Sequence, residues 1–244
     1  LHHDRFDTAF KVMKSPSMPL FQSEICQPNG LNEMPSGDTI ITAYYAHPDN
    51  PEDGIVALDD VIKTKFKVDK YTTHKILIRR VHNDSNEINS RPPSNMLRPE
   101  DNRFHAIKED GFPTIGSFLK YKDAIFGRLK KTKISGNEQK TENISLYVGI
   151  GEEGYVDRIF VGKHPEGIVA KIKMRQTRDQ LVGDKGATRY SQKGTFSKFL
   201  AREYLPRVAC GPNKGLVPDL VRNPHAVPSR MPMGEMNEML VSKA

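Results

Sequence analysis

Tryptophan is absent from this chain, and its 244 residues include only two cysteines, Cys26 and Cys210. The two lie far apart and outside any CxxC or Cys/His spacing. That argues against a zinc site or a disulfide framework and fits a reducing compartment. No apolar run approaches the length of a membrane span, and no charged-then-apolar leader opens the sequence. Asn83-Asp-Ser and Asn143-Ile-Ser match the glycosylation triplet, but without a secretory signal they read as chance matches. The first residue is Leu, not Met, so the chain is expected to be a processed or split product, or part of a longer one.

What is present is a somewhat polar globular balance, with 36% hydrophobic and 27% charged residues. The length allows one large domain or two small ones. Lys and Arg number 37 against 30 Asp and Glu, a formal net charge of +7. Such an excess favours polyanionic partners, nucleic acid or nucleotides, through their phosphates.

Periodicity predicts mostly strands. His2 to Lys14 reads as a helix with Phe6, Ala9, Phe10 and Met13 on one face, followed by a Pro-rich extended connector from Ser15 to Gly37. Thr39 to Tyr45 reads as a strand and Ile55 to Leu58 as its return, with Asp59 capping a short helix through Phe66. Lys75 to Val81 is a predicted strand, and the polar stretch from His82 to Arg103 a mobile loop. Short apolar strokes fill Gly111 to Gly127. Strand patterning returns at Tyr155–Val161, Gly167–Met174 and Val217–Val221, and Ser229 opens a closing helix whose face carries Met233, Met236 and Leu240. The expected class is mainly β or α+β, a β-barrel-like core interrupted by an insertion.

Four segments are candidates for chemistry. Gly149-Ile-Gly-Glu-Glu-Gly154 has dinucleotide-type spacing, but the residues after it read as a strand and its two acids would repel phosphate. A hairpin turn is the better reading. The loop HPDNPEDG places Asp49, Glu52 and Asp53 between two strands. Carboxylates there can hold Mg²⁺ beside a substrate's phosphates, although a solvated turn explains them as simply. Gly183 to Gly194, GDKGATRYSQKG, carries Lys185, Arg189 and Lys193 on compact backbone, with no carboxylate expected to neutralise them. It is either a phosphate cradle or a solvated surface loop. In NPHAVPSRM, Pro228 and Ser229 read as a helix start with Arg230 in the first turn. The helix dipole opposes a cation there, so an anion, from a ligand or a carboxylate, is expected to compensate it. The run Arg128, Lys130, Lys131, Lys133 reads as a solvated strand end.

In this order the segments resemble the C-terminal half of one family, the second-largest (beta) subunit of multisubunit DNA-dependent RNA polymerases. GDTIITAYYAHPDNPEDGIVALDDVI resembles the family strand that leads into an acidic Glu-Asp pair, here Glu52 and Asp53. GYVDRIFV and AKIKMRQTRDQLVGDKGATRYSQKG resemble the barrel strand and basic loop. REYLP and GLVPDLVRNPHAVPSRMPMGEMNEMLVSKA resemble the stretch around the family's Asn-Pro-x-x-x-Pro-Ser-Arg-Met element. DRFDTAFKVMK resembles the short helix that begins with an Arg. The NPHA form is closer to archaeal, eukaryotic or viral polymerases than to bacterial ones.

The resemblance implies a double-psi β-barrel with a hybrid-binding region, divided between residues 1–65 and 151–244, and a wall- or flap-like insertion at 66–150. It implies nucleotidyl transfer with Mg²⁺ in a complex inactive without its other chains. The largest subunit would carry the permanent metal, and the partners would be that beta-prime-like chain, any further beta-type fragments, DNA template, RNA transcript and nucleoside triphosphates. Arg5 and Arg230 match arginines that meet the triphosphate. Lys185 and, by substitution, Arg178 match basic residues near the RNA 3′ end. Glu52 and Asp53 match the pair near the second, nucleotide-borne Mg²⁺. Lys14, Arg189, Gln192, Lys193 and His225 are the implied substrate or nucleic-acid contacts. The setting would be cytoplasm or nucleoplasm, or a virus or phage product in its host or virion. Tyr190-Ser191 stands where the family usually has His-Gly, Arg178 where Lys is common, and Ser15 where Gln is usual. The lobes before this region and the clamp-binding tail after it are not in the sequence, as in a subunit divided between genes or a part of a whole one. The competing class is a basic β-barrel that binds nucleic acid without taking part in synthesis, which would have no use for acids facing phosphate.

Overall fold

The structure, a computed structural model, describes residues 4–79, 85–97, 102–133 and 139–243. In chain order its elements are β1 (Ala9–Met13), β2 (Thr42–Tyr44), β3 (Gly54–Leu58), α1 (Asp59–Thr64), β4 (Val68–Arg79), β5 (Ser85–Asn89), β6 (Phe118–Leu119) and β7 (Ala124–Phe126). There follow β8 (Arg128–Lys133), β9 (Gln139–Asn143), β10 (Leu146–Tyr147), β11 (Gly154–His164), β12 (Gly167–Arg178), β13 (Lys185–Ala187), β14 (Lys193–Leu200), β15 (Leu220–Arg222) and α2 (Met233–Lys243). The chain is mainly β. It forms two compact units, Leu1–Lys11 with Asp69–Thr177, and Val12–Val68 with Arg178–Ala244.

The first unit is built on the sheet β1-β4-β12-β11-β6. Strand β12 shows why this sequence makes a sheet. Ala170, Ile172 and Met174 alternate onto one face and are buried in the unit's main core with Ile76, Ile78 and Val156. Each of the larger side chains, Ile, Val or Met, contributes about 1.5–3 kcal/mol of burial. On the opposite face Lys173 is fully buried, its ammonium 4.9 Å from the Phe6 ring, 5.5 Å from Phe10 and 5.7 Å from Tyr71. Burial pulls its pKa down, while the ring faces attract what charge it keeps.

That aromatic cover explains a departure from the sequence reading. The opening segment is not a helix: Ala9–Met13 is a strand, Phe10 stacks on Tyr71 at 4.8 Å, and Thr8 accepts a backbone hydrogen bond from Thr73. The spacing of Phe6 and Phe10, which suits a helical stripe, serves instead to cover Lys173. His2 and His3 lie outside the described residues.

The stretch read as a loop also contains a strand. β5 pairs antiparallel with β8, Ile88 opposite the buried Leu129, and Glu87 meets Arg128. Residues 82–84 and 98–101, and with them Asn83 of the first glycosylation triplet, lie outside the described residues. The Gly149–Gly154 turn is followed by a strand and not by the helix that a dinucleotide fingerprint requires. It is not a hairpin, because β10 pairs with β7 and β11 with β12 and β6. Glu152 folds inward there and accepts from the Gly149 N–H.

The second unit is built on the sheet β13-β14-β3-β15-β2. β3 is buried at all five positions. Ile55 and Ala57 face one cluster with Phe196 and Leu220, and Val56 and Leu58 face another with Val61 and Val221. A continuous apolar run is the sequence signature of a strand covered on both faces. β3 does return antiparallel to β2, but β15 lies between them, parallel to β2 and antiparallel to β3. β14 pairs parallel with β3. No sheet closes into a barrel among the described residues.

Neither helix begins where the sequence suggests, α1 one residue earlier and α2 later. Leu58, not Asp59, is the N-cap of α1, and Asp59 instead pairs with Lys63 one turn on. α2 begins at Met233, because Pro232 fits a first turn and the preceding residues form a separate turn closed onto Val227. Met233 and Leu240 are exposed, and the inward face carries Glu235 and Met239 instead. No described helix is long and apolar enough to cross a membrane.

One consequence concerns pH. His74 on β4 is largely buried with its Nε2 unbonded and Glu152 3.9 Å away, and burial holds its pKa below the ordinary 6.5. The unfolded chain therefore takes up the proton first as pH falls past 6.5, so this contribution is complete above that value and lost below it. Urea unfolding at pH 7.5 and 5.5 is expected to show a smaller acid loss in His74→Gln than in the parent. An equal loss in both would exclude His74 as a source.

Candidate functional site

Three segments distant in sequence meet in the second unit, and two glycines permit it. β14 pairs with β3 from Thr195 opposite Gly54, with the Thr195 N–H donating to Asp53 O at 3.0 Å. A Cβ on Gly194 would lie 2.8 Å from the Ile55 side chain and 3.0 Å from Asp53 O, and one on Gly54 2.3 Å from Asn50 Oδ1. Glycine at 194 lets the basic hairpin lie this close to the acidic loop, and glycine at 54 lets that loop fold tightly onto Asn50.

Two asparagines fasten the third segment. Asn50, 3% exposed, donates from Nδ2 to Val221 O at 3.3 Å, and Asn223 Nδ2 donates to Asn50 O at 3.0 Å. Asn223 Oδ1 also accepts from the His225 N–H, and His225 Nδ1 lies 2.9 Å from it. With the amide oxygen accepting, His225 keeps its proton on Nδ1 and leaves Nε2 toward solvent. Neither asparagine was among the candidate residues. The signal was there, since both are Asn-Pro steps, which favour turns.

At the meeting point stands Arg230. Its Nη2 donates to Asp53 Oδ1 at 2.6 Å, across 177 positions of sequence, and its Nη1 to Lys193 O at 3.4 Å. The compensating anion expected for Arg230 is therefore a carboxylate of this chain. The helix-dipole reason for it falls away, because Arg230 precedes α2.

The other candidates divide into paired and unpaired. Arg189 faces Glu238 at 3.6 Å, Arg178 donates to Asp184 at 3.0 Å, and Lys198 holds Asp49 at 2.6 Å. The basic loop is thus less stripped of carboxylates than its sequence suggests. Asp184 also accepts from the Leu181 N–H, so Arg178 helps close the turn before β13. Lys14, Lys185 and Lys193 are exposed and have no ion pair among the described residues, and Gln192 is half-buried. Glu52 is exposed beside Asp53. Among the described residues no group of three or more metal-ligating side chains comes together. Arg5 belongs to the first unit, where it grips Asp7 with two nitrogens at 3.0 and 3.3 Å.

Behind the hairpin, Arg222 Nη1 donates to Glu235 Oε1 at 2.9 Å, and Tyr44 OH donates to the same oxygen at 3.2 Å. Burial, and then the charge of Glu235, hold the Tyr44 pKa above its usual value. Tyr190 is raised likewise, by burial first and then by Glu238.

The family model for RNA polymerase Rpb2, domain 6, matches residues 1–244. The chain belongs to that family. It is 30% identical to DNA-directed RNA polymerase II subunit RPB2 of Schizosaccharomyces pombe, with 98% of this chain and 20% of that protein aligned. It is 26% identical to DNA-directed RNA polymerase subunit Rpo2 of Sulfolobus acidocaldarius, over 98% of this chain and 22% of that one. It is 28% identical to the probable RPB2 homolog of Invertebrate iridescent virus 6, over 99% and 20%. The chain thus spans about a fifth of the length of these relatives.

One departure from the family pattern has a visible cost. Ser191, at a position usually Gly, has φ +61° in the turn where its N–H donates to Thr188 O. A non-glycine residue pays about 1–2 kcal/mol in that left-handed region. Ser191→Gly is expected to stabilise the chain by about 1 kcal/mol, read as a higher denaturation midpoint at unchanged slope. A lower midpoint would mean that the serine hydroxyl compensates the strain.

Proposed function

We propose that this chain is the active-centre part of a DNA-dependent RNA polymerase second-largest subunit, positioning triphosphate, RNA 3′ end and RNA–DNA hybrid for nucleotidyl transfer. Family membership supports the class. The observation that carries the residue-level reading is the meeting of Arg230, Asp53 and the Lys193 backbone. A cation, an acid and a basic hairpin are brought to one place by otherwise unrelated segments.

Phosphoryl transfer is catalysed chiefly by positioning and by neutralising charge as it develops. Arg230 and Asp53 suit that task because their pairing is cheap to open. With side chains 30% and 58% exposed, such a pair contributes only about 0–1 kcal/mol. Exchanging the carboxylate for a phosphate oxygen replaces one charge-assisted hydrogen bond by another, so it costs little. The released Asp53, with Glu52 beside it, presents hard oxygen donors of the kind that suit a nucleotide-borne Mg²⁺ alongside water and phosphate. The chemistry the metal supplies there is charge neutralisation across the phosphates. Lys185 and Lys193 offer point charges to the transcript end and hybrid backbone, read without regard to sequence. Arg178, Lys14, Arg189, Gln192 and His225 complete that surface, while Arg5, in the first unit, keeps its triphosphate role on the family resemblance alone.

The architecture in this reading is a double-psi barrel divided between residues 1–65 and 151–244. It is supported by two parallel strand pairs, β14 with β3 and β15 with β2. Residues 66–150 would be the wall- or flap-like insertion. The carboxylates for the permanent metal would come from the largest subunit, and the enzyme would be complete only with its other chains, template and transcript. The acids at Glu52 and Asp53 favour this reading over a module that merely binds nucleic acid.

In the assembled polymerase, Arg230→Ala is expected to raise the nucleotide concentration for half-maximal extension roughly 10- to 100-fold, the equivalent of one charge-assisted hydrogen bond. Template affinity should stay within about twofold, and Asp53→Asn should raise the Mg²⁺ requirement. An unchanged nucleotide requirement in Arg230→Ala would overturn the assigned role.

A further inference from the structure

We propose that Tyr190 is a positioning residue for nucleotidyl transfer: it clasps the tip of the basic hairpin to α2 and so fixes Lys185 and Lys193 at the transcript end. The inference rests on the function proposed above and deepens it. β13 is an edge strand of three residues whose one neighbour in the sheet is β14, with Lys185 opposite Thr195 and Ala187 opposite Lys193. An edge that short makes few ladder bonds of its own, so the tip, Thr188 to Gln192, gains from a second attachment.

Helix α2 supplies that attachment. Gly234 and Glu238 are four positions apart and so share one face of it. The Tyr190 ring lies against Gly234, where a Cβ would stand 2.7 Å from Cε1 and 3.1 Å from Cδ1. Glu238, one turn on, takes two neighbours from the tip. Arg189 Nη1 lies 3.6 Å from its Oε1, and the Tyr190 phenol hydrogen-bonds to it. Arg189 Nη2 in turn rests against Gly37, 3.6 Å from where a Cβ would be. Inside the tip the Tyr190 N–H donates to Thr188 Oγ1 at 3.3 Å, and its carbonyl accepts from Gln192 Nε2 at 3.4 Å. The residue that grips the helix therefore also ties the two sides of the turn from which Lys185 and Lys193 extend.

Gly234→Ala separates positioning from stability, because alanine is the better helix former while its methyl group displaces the ring. The variant is expected to assemble into the polymerase as the parent chain does. Tryptic cleavage after Arg189 in the free enzyme should accelerate about tenfold, the equivalent of one lost hydrogen bond. Extension at saturating nucleotide should slow by about as much. In a Lys185→Ala/Lys193→Ala background, itself slow, Gly234→Ala should slow extension no further, since the ring acts through those lysines. Tyr190→Phe keeps the ring and loses only the bond to Glu238; it is expected to change cleavage and extension in the same directions, and it decides the matter should Gly234→Ala fail to assemble. Equal slowing in both backgrounds would reveal a merely structural role and overturn the proposal, as would parental cleavage and extension in Gly234→Ala and Tyr190→Phe while the double lysine variant is slow. Normal extension by the double lysine variant would instead sink the function assigned to the hairpin, and the positioning role with it.

Discussion

The candidate site depends on one close approach, that of the β14 backbone to the start of β3. Parallel pairing has to begin at Gly54 itself, with Thr195 bonded to Asp53 O, for the basic hairpin to reach the acidic loop. Gly194 and Gly54 give up side-chain packing and accept the higher entropic cost of ordering glycine. In return Lys193 O and Asp53 both come within reach of Arg230. A methyl group at Gly194 would push the hairpin off Asp53 and Ile55, and one at Gly54 would displace Asn50 within the acidic loop.

The charges themselves are arranged for exchange more than for stability. A formal +7 might be taken to mean a uniformly attractive surface, yet several cations around the site are already engaged by carboxylates of the same chain. Arg230 rests on Asp53, Arg189 on Glu238, Arg178 on Asp184 and Lys198 on Asp49. Exposed or half-exposed pairs of this sort contribute little to folding. Under the proposed function they hold long, entropically expensive side chains in place until a phosphate competes. Lys185 and Lys193 carry no such partner among the described residues and add to the positive field.

Some of this was legible in the sequence and some was not. The run Ile55–Leu58 declared a buried strand, and β11 and β12 followed from strand patterning. The basic loop, the acidic pair and the Pro-Ser-Arg-Met element marked the site through their resemblance to one family. What failed were inferences that needed tertiary context. Phe6 and Phe10 have helical spacing but cover Lys173 from a strand. Ile88 and Glu87 sit in a polar stretch that is a strand only because β8 supplies Leu129 and Arg128 opposite them. The insertion of β15 between β2 and β3 involves residues more than a hundred and fifty positions away, which no local pattern encodes. Asn50 and Asn223 showed only as turn formers, since their cross-links become visible when the segments meet.

The buried pair Arg222–Glu235 bears on why Arg230 is held so well. The two are thirteen positions apart and bonded at 2.9 Å, so they close a loop that contains Asn223, His225 and Arg230. A buried ion pair is weak support for stability, because desolvating both charges consumes most of the attraction. Its more defensible use is geometric. One partner lies at the end of β15 and the other in the first turn of α2, so the pair fixes the exit and re-entry of the segment that carries Arg230. Asn223 then ties its near end to Asn50, and Asp53 meets the arginine itself. An apolar pair could match the energy but not the direction, since hydrophobic contact is non-directional while the guanidinium and carboxylate accept few orientations.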